Sequence, residues 1–133
     1  MRVSPKLRRV PTACRLQQGA AAEQLAARYL EAMGLRVLAS NARCRAGEID
    51  LVCLDGDVLT MVEVRQRARL EFGGAVASVN LGKQRKIIRA ARFLLQRQAA
   101  WQCRTVRFDV VGIEGLPQGY HRIVWIKDAF RVT

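Results

Sequence analysis

The apolar positions near the start of the chain recur with the spacing of a helix. Over residues 19–33, apolar side chains follow one another at i, i+3, i+4, i+7, i+8 and i+11, namely Ala22, Leu25, Ala26, Tyr29, Leu30 and Met33. This spacing places them on one stripe that packs against a core. Gly34 suits the position after the helix, where a positive φ is cheap for glycine. The same geometry directs Glu31 to solvent and puts Glu23 at the edge of the stripe, where it can reach a sheet.

Three strands are predicted directly after this helix. Residues 35–40 form a short segment in which apolar and polar side chains alternate. Residues 48–54 and 58–65 flank Asp55-Gly56, and an Asp-Gly pair between hydrophobic runs is a strong signal for a β-hairpin. Residues 66–79 contain a pair of glycines and are expected to form a loop.

The rest of the chain predicts a second long helix and two more strands. Asn80 is suited to cap a helix over residues 81–98. The inward positions of that helix are Ile87, Ile88, Ala91, Leu94 and Leu95. Residues 106–113 are predicted to form a buried strand and residues 122–126 a last short one. The order α-β-β-β-α-β, with a small β addition, predicts a single-domain α/β sandwich around a mixed sheet.

The composition supports one folded domain. The 133 residues are half hydrophobic, which suffices for a single core and is too much for intrinsic disorder. No apolar stretch approaches the roughly 20 residues of a membrane-spanning helix, and no apolar segment follows the basic first residues as a secretory signal requires. We therefore expect a soluble, cytoplasmic protein with no membrane partner, a flexible basic tail over residues 1–18 and an α/β domain over residues 19–133.

The charge of the chain indicates a polyanionic partner. Lys and Arg number 23 against 11 Asp and Glu, which gives a formal net charge of +12. Nucleic acid is the leading candidate, and a solubilising surface or an anionic membrane are the alternatives. The outer face of the second predicted helix is basic and its segment contains no acid; it carries Lys83, Arg85, Lys86, Arg89, Arg92 and Arg97. With Arg67, Arg69 and the tail, this face is the predicted nucleic-acid-binding surface.

The cysteines and the histidine exclude a common class of metal site. No C-x-x-C is present, His121 is the only histidine, and four cysteines are irregularly spaced: Cys14, Cys44, Cys53 and Cys103. A structural zinc site therefore lacks its ligands, and the cysteines are expected to be reduced thiols.

The predicted hairpin contains a candidate metal site. A two-residue turn at Asp55-Gly56 makes Asp50 the diagonal neighbour of Glu63, about 7–8 Å away and on the same side of the sheet. Glu48 and Arg65 are expected on that side too, because side chains alternate along a strand. A turn one residue longer would send Asp50 and Glu63 to opposite sides, so this site depends on the register of the hairpin.

Carboxylates that lie close together among apolar residues are unfavourable unless a positive charge neutralises them. Like charges held close repel, and burial raises the cost of each charge. Mg²⁺ or Mn²⁺ would remove both penalties, and such an ion supplies the Lewis acid and the activated water that phosphodiester hydrolysis needs. The pattern D-x12-E-x-[K/R] from Asp50 to Arg65 is moderately specific. The alternative is a charged strand face that matches it by chance.

Five motifs resemble those of a known family. They are G-x-x-A-E-x-x-A-x-x-Y-L over residues 19–30, N-x-R over 41–43, G-E-I-D-L over 47–51, V-E-V-R over 62–65 and W-I-K-D-A-F over 125–130. Together they resemble the YraN-type family of small bacterial proteins, which are regarded as endonucleases. The resemblance implies a restriction-endonuclease-like fold, close to that of archaeal Holliday junction resolvases. It also implies that Glu23, Asp50, Glu63 and Arg65 form the catalytic set, with Glu23, Asp50 and Glu63 around the metal.

One departure from the nuclease pattern concerns Arg65. The pattern has lysine there, and lysine can lose its proton to act on water, whereas arginine stays charged and can only clamp a phosphate. We expect a Mg²⁺- or Mn²⁺-dependent endonuclease acting on DNA, including branched DNA, and by analogy with resolvases a homodimer. The alternatives are a non-catalytic nucleic-acid-binding protein with the same fold and a structural partner of a ribonucleoprotein.

The remaining polar candidates each have a structural alternative. Gln84 lies near the start of the second helix and is expected to touch metal-bound water or phosphate, or else to make a helix-end contact. Glu48 either faces the site or pairs with Arg43 or Arg45. Asp109 is expected to form a structural ion pair with a nearby arginine. His121 is expected in a loop, and the two tryptophans in core or edge packing.

Overall fold

A computed structural model of the chain describes residues 2–4, 15–67, 74–115 and 121–132. Along the chain the elements are β1 (Arg2–Ser4), α1 (Arg15–Ala32), β2 (Arg36–Cys44), β3 (Gly47–Asp55), β4 (Val58–Arg67), α2 (Gly74–Ala77), α3 (Leu81–Arg97), a 3₁₀ turn (Ala99–Trp101), β5 (Val106–Gly115) and β6 (His121–Phe130). The long elements follow the predicted order α-β-β-β-α-β, with β6 as the added strand.

The strands form one mixed sheet in the order β1-β6-β5-β4-β3-β2. β4 and β5 run parallel, and every other neighbouring pair is antiparallel. A parallel pair needs a long crossover connection, and α3 lies in the connection between β4 and β5. α1 packs on one face of the sheet and α3 on the other. This arrangement confirms the predicted α/β sandwich around a mixed sheet.

The sequence of α1 explains both its buried stripe and its end. The side chains that it buries fully are Ala22, Ala26, Tyr29 and Leu30. Gly34 has a φ of +98°, and a Schellman motif closes the helix: Leu35 N donates to Leu30 O and Gly34 N to Glu31 O, both at 3.0 Å. Met33 was predicted to lie in the buried stripe, but it is 37% exposed because the helix ends one residue before it.

The sequence of α3 sets the start of this helix and the face that it buries. The side chain of Asn80 caps the helix and accepts a hydrogen bond from Lys83 N at 2.9 Å. The buried residues of α3 are Ile87, Ala90, Ala91 and Leu94. They pack on the sheet beside Ile49, Met61 and Phe108, and the predicted orientation of the helix is confirmed.

Some segments differ from the sequence-based expectation. Residues 2–4 form an edge strand on β6 and α1 begins at Arg15, whereas both lie in the predicted tail; residues 5–14 lie outside the described residues. His121 was expected in a loop, but it begins β6 and is buried, because β6 extends well beyond the predicted residues 122–126. Within the described residues, no helix combines the length and the apolarity needed to cross a bilayer.

Candidate functional site

The hairpin of β3 and β4 has a register different from the predicted one. Asp55 pairs with Val58, so Gly56 and Asp57 form the turn, and Gly56 has a φ of +61°. The predicted turn at Asp55-Gly56 is therefore wrong by one residue. The turn still contains two residues, and the side-chain parity is preserved. The last ladder pair is Leu51 with Val62, which brings Asp50 and Glu63 opposite each other rather than diagonal.

The alternation of side chains in β3 breaks at Asp50. Ile49 packs into the core under α3, whereas Leu51 packs into the core under α1. Strict alternation would put both on one side. Asp50 Oδ2 accepts a hydrogen bond from Val64 N at 2.8 Å. This side-chain oxygen takes the place of a backbone carbonyl acceptor, just beyond the last residue pair of the β3–β4 ladder. Asp50 thus lies where the two sides of the sheet meet.

Glu63 extends from β4 toward α3 and approaches Asp50. It is only 4% exposed. Burial raises the pKa of Glu63 to about 7, and the negative charge of Asp50 raises it further. The register and this electrostatic influence indicate that Asp50 and Glu63 are neighbours across the two strands.

Glu23 approaches Asp50 from α1. Burial is the main cause that raises the pKa of Glu23, and the negative charge of Asp50 raises it further. A hydrogen bond from Asn41 acts in the opposite direction and holds this carboxylate. Asn41 has a φ of +50°, a conformation that asparagine adopts more readily than most residues. A cleft of about 160 Å³ lies beside these groups, lined by Glu23, Gln24, Ser40 and Asn41 among others.

The alternation rule predicted that Glu48 would share the face of Asp50 and Glu63, but it does not. It is exposed and forms an ion pair with Arg43, with 3.2 Å between Arg43 Nε and Glu48 Oε2. The cause is the break in alternation at Asp50. Ile49 points into the core under α3, so the side chain of Glu48 before it points to the other side of the sheet. The alternative prediction of an Arg43 pair is the one that holds.

Arg65 is engaged by the segment that precedes α3. Its Nε donates to Ser78 Oγ at 3.2 Å and its Nη2 donates to the backbone carbonyl of Ser78. Its Nη1 lies 3.4 Å from Glu63 Oε2. The guanidinium thus ties β4 to the segment before α3, and the phosphate clamp expected of it would have to compete with these contacts.

Two residues of the first turn of α3 make side-chain contacts outside the helix, and one of them approaches Glu63. Lys83 Nζ is 3.7 Å from Glu63 Oε2, which places it in the site as well as on the basic face of α3. Gln84 donates from Nε2 to Val79 O at 2.9 Å. This is the helix-end contact that was the alternative for Gln84, and it fixes the same segment that Arg65 holds.

The basic face of α3 lies in solvent, as the sequence predicted. Its exposed members are Arg85, Lys86, Arg89, Arg92 and Arg97. Arg67 is exposed at the end of β4, where its Nη1 donates to Gln66 O. Arg69 lies outside the described residues. The exposed face of α3 and the side chain of Glu63 are on the same side of the sheet.

Asp109 is structural, as predicted. It is fully buried, and both of its oxygens accept hydrogen bonds at 2.8 Å from Arg107. Trp125 Nε1 donates to it at 3.0 Å and Asp128 N at 2.9 Å. Arg107 also reaches Asp55 at 2.9 Å. This network satisfies a buried charge and joins the hairpin turn to β5 and β6.

Two members of the site were not identified as such from sequence. Asn41 entered only as part of a motif, and Lys83 entered only as a phosphate contact. A sequence signal existed for Lys83, because it precedes the buried Ile87 by four residues and therefore lies toward the sheet. No three acidic, histidine or cysteine side chains of the described residues converge closely enough to hold an ion by themselves. Any cation would rest on two carboxylates and other oxygen ligands.

Comparison with known proteins identifies a family for this chain. The protein-family model described as "Uncharacterised protein family UPF0102" matches residues 22–113. This range includes Glu23, Asp50, Glu63 and Lys83. A UPF0102 protein of Nitrosococcus oceani is 47% identical over 115 residues, which cover 86% of this chain and 92% of that protein. One from Pseudomonas syringae pv. syringae is 46% identical over 116 residues, covering 87% and 94%. The chain therefore belongs to the UPF0102 family, which is the YraN-type family.

Proposed function

We propose that this protein is a divalent-metal-dependent endonuclease that hydrolyses phosphodiester bonds of DNA, with branched DNA among its substrates. The observation that carries the proposal is the approach of two carboxylates, Asp50 and Glu63, beneath a helix whose outer face is basic. The net charge of +12 supports a polyanionic substrate. The basic face would bind the backbone on the side of the sheet where the carboxylates lie.

The donor set suits Mg²⁺ or Mn²⁺. Carboxylate oxygens are the ligands that these hard cations prefer, and Mg²⁺ is commonly held by one or two carboxylates with water and phosphate oxygens in the remaining positions. Asp50 and Glu63 would be the direct ligands, and Glu23 would accept a hydrogen bond from a water of the site. The raised pKa of Glu63 fits this role, because it reflects burial first and the repulsion by Asp50 second, and a cation would offset both. A bound ion would supply charge neutralisation at the phosphate and a more acidic water.

The chain's own groups would then have separate tasks. Asn41 orients Glu23, the Val64 amide orients Asp50, and Arg65 fixes the start of α3 over β4. The exposed arginines of α3 would neutralise phosphates and position the duplex without reading its sequence. The contacts with Val64, Arg65 and Lys83 use Asp50 Oδ2 and Glu63 Oε2, so Asp50 Oδ1 and Glu63 Oε1 would serve the metal.

The test is cleavage and metal binding with matched variants. Duplex, single-stranded and four-way-junction DNA are incubated with Mn²⁺ or Mg²⁺ and with wild type, Asp50→Asn, Glu63→Gln or Asp57→Asn. Asp57 is the control, since it is an exposed aspartate in the turn of the same hairpin. We expect wild type and Asp57→Asn to cleave, and the other two variants to lose on the order of 100-fold or more in rate. Equal cleavage by all four proteins, or cleavage by none, contradicts the proposal.

A second candidate is a nucleic-acid-binding protein without turnover. The engagement of Arg65 by Ser78 favours it, because the strand position that carries lysine in the nuclease pattern here holds a structural contact. This candidate predicts salt-sensitive DNA or RNA binding that neither chelators nor the Asp50 and Glu63 substitutions change. A preference for RNA in the same assay would support the ribonucleoprotein alternative.

A further inference from the structure

We infer that Lys83 is a catalytic residue of this site, whose ammonium group contacts a non-bridging oxygen of the scissile phosphate. The inference rests on the proposed function. It assigns to Lys83 a task that Arg65, on β4, does not perform. It separates Lys83 from the other basic residues of α3, which would bind the DNA backbone at a distance from the reacting phosphorus.

The position of the ammonium group is the first argument. Lys83 Nζ lies 3.7 Å from Glu63 Oε2, a buried oxygen of the carboxylate pair. The side chain of Lys83 is 38% exposed, whereas that of Glu63 is 4% exposed. The ammonium group therefore lies between the buried carboxylate of Glu63 and solvent, where a phosphate could approach it.

The engagement of Arg65 is the second argument. All three guanidinium nitrogens of Arg65 have partners in Ser78 or Glu63. Turning this group to a phosphate would release the segment that leads into α3. Arg65 is thus a positioning residue, and Lys83 is brought over Glu63 by the same segment.

The geometry of α3 is the third argument. At about 100° per residue, Lys83 lies within about 40° of the buried Ile87, one turn later. Arg85 lies about 200° further round the helix and extends into solvent. Among the cations of this face, Lys83 is the one that the helix directs toward the carboxylates.

The reaction assigns a defined task to this cation. A water oxygen forms a bond to phosphorus and gives its proton to solvent. One phosphorus–oxygen ester bond breaks, and its electron pair stays on the alcohol oxygen, which takes up a proton from solvent. Negative charge grows on the non-bridging oxygens as the new bond forms. A hydrogen bond from the Lys83 ammonium would stabilise that charge more than it stabilises the bound substrate.

The test compares Lys83→Ala, Lys83→Gln, Lys83→Arg and the control Arg28→Ala, an exposed arginine of α1 on the other side of the sheet. Single-turnover cleavage is measured in Mn²⁺, DNA affinity in Ca²⁺, and the unfolding midpoint by circular dichroism. We expect Lys83→Ala to cleave about 100-fold or more slowly, with DNA affinity within about 3-fold and an unchanged midpoint. Lys83→Arg should recover part of the rate, and Arg28→Ala should cleave within about 3-fold of wild type.

The outcomes separate this inference from the proposed function. If Asp50→Asn is inactive while Lys83→Ala cleaves like Arg28→Ala, the function stands and the role of Lys83 is refuted. A loss of affinity in Lys83→Ala that matches its loss of rate makes it a backbone contact and also refutes the inference. If wild type does not cleave, both fail. A lower midpoint in Lys83→Ala with normal cleavage by Lys83→Gln assigns a structural role and refutes it too.

Discussion

Asp50 Oδ2 accepts a hydrogen bond from the backbone amide of Val64 at 2.8 Å, just beyond the last ladder pair of β3 and β4. Here a side-chain oxygen replaces a backbone carbonyl as the acceptor. The alternation of side chains in β3 can therefore break at this residue without leaving the Val64 amide unpaired. The same contact aims the rest of the carboxyl group between Glu23 and Glu63. Fold and site are thus joined at one residue.

This double role predicts different effects for two substitutions of Asp50. Asparagine keeps an oxygen for the Val64 amide and removes the charge that repels Glu63, whereas alanine leaves the amide without its acceptor. We expect Asp50→Ala to be about 1–3 kcal/mol less stable than Asp50→Asn in urea unfolding at pH 8. Both should lose metal binding in calorimetry. Equal stabilities would show that the Val64 contact does not contribute to folding.

The buried Glu63 predicts a pH-dependent stability. Its pKa is about 7 in the folded chain against an ordinary 4.5, so the folded state binds more protons between these values and stability falls as pH rises from about 5 to about 8. The loss amounts to at most about 3 kcal/mol. In Glu63→Gln this component is absent, and the difference in unfolding free energy between wild type and variant should change across that range. Mg²⁺ at pH 8 should restore wild type only. A constant difference contradicts the assigned pKa.

The buried network around Asp109 predicts a large structural effect. Asp109→Ala leaves the guanidinium of Arg107 and the amide of Asp128 without a buried acceptor and should cost about 3–5 kcal/mol in chemical unfolding. Trp125→Phe removes one hydrogen bond and part of a fully buried ring system, and should cost about 1–3 kcal/mol. Asp57→Ala, an exposed control, should stay within about 0.5 kcal/mol of wild type. A small effect for Asp109→Ala would mean that the network is dispensable.

The basic face of α3 predicts a salt-dependent affinity for DNA. Arg85, Arg89 and Arg92 follow one another at i, i+4 and i+7 and form one exposed stripe. Replacing all three with glutamine should reduce the slope of log affinity against log salt by about 3 if each contacts a phosphate. The control is Arg28→Gln, an exposed arginine of α1 on the other side of the sheet. An unchanged slope in the triple variant would exclude this stripe from the interface.

Much of the architecture was predictable because it depends on local patterns. The stripe of α1, the cap at Asn80 and the glycine at position 34 are signals that act within a few residues. The pairing of Asp50 with Glu63 was also predictable, since a shift of the hairpin turn by one residue kept the turn length and therefore the side-chain parity. The length of β6 was missed because its extension depends on pairing with β5.

The sequence by itself determined the order of the elements, the excess of positive charge and the presence of carboxylates on two paired strands. Only the tertiary structure decided which groups meet. It engaged Arg65 with Ser78, turned Glu48 to Arg43 and brought Lys83 to Glu63. The physical reason is that periodicity sets which way a side chain points along its own element, whereas its partners depend on how separate elements pack, and a single break in alternation at Asp50 changes them.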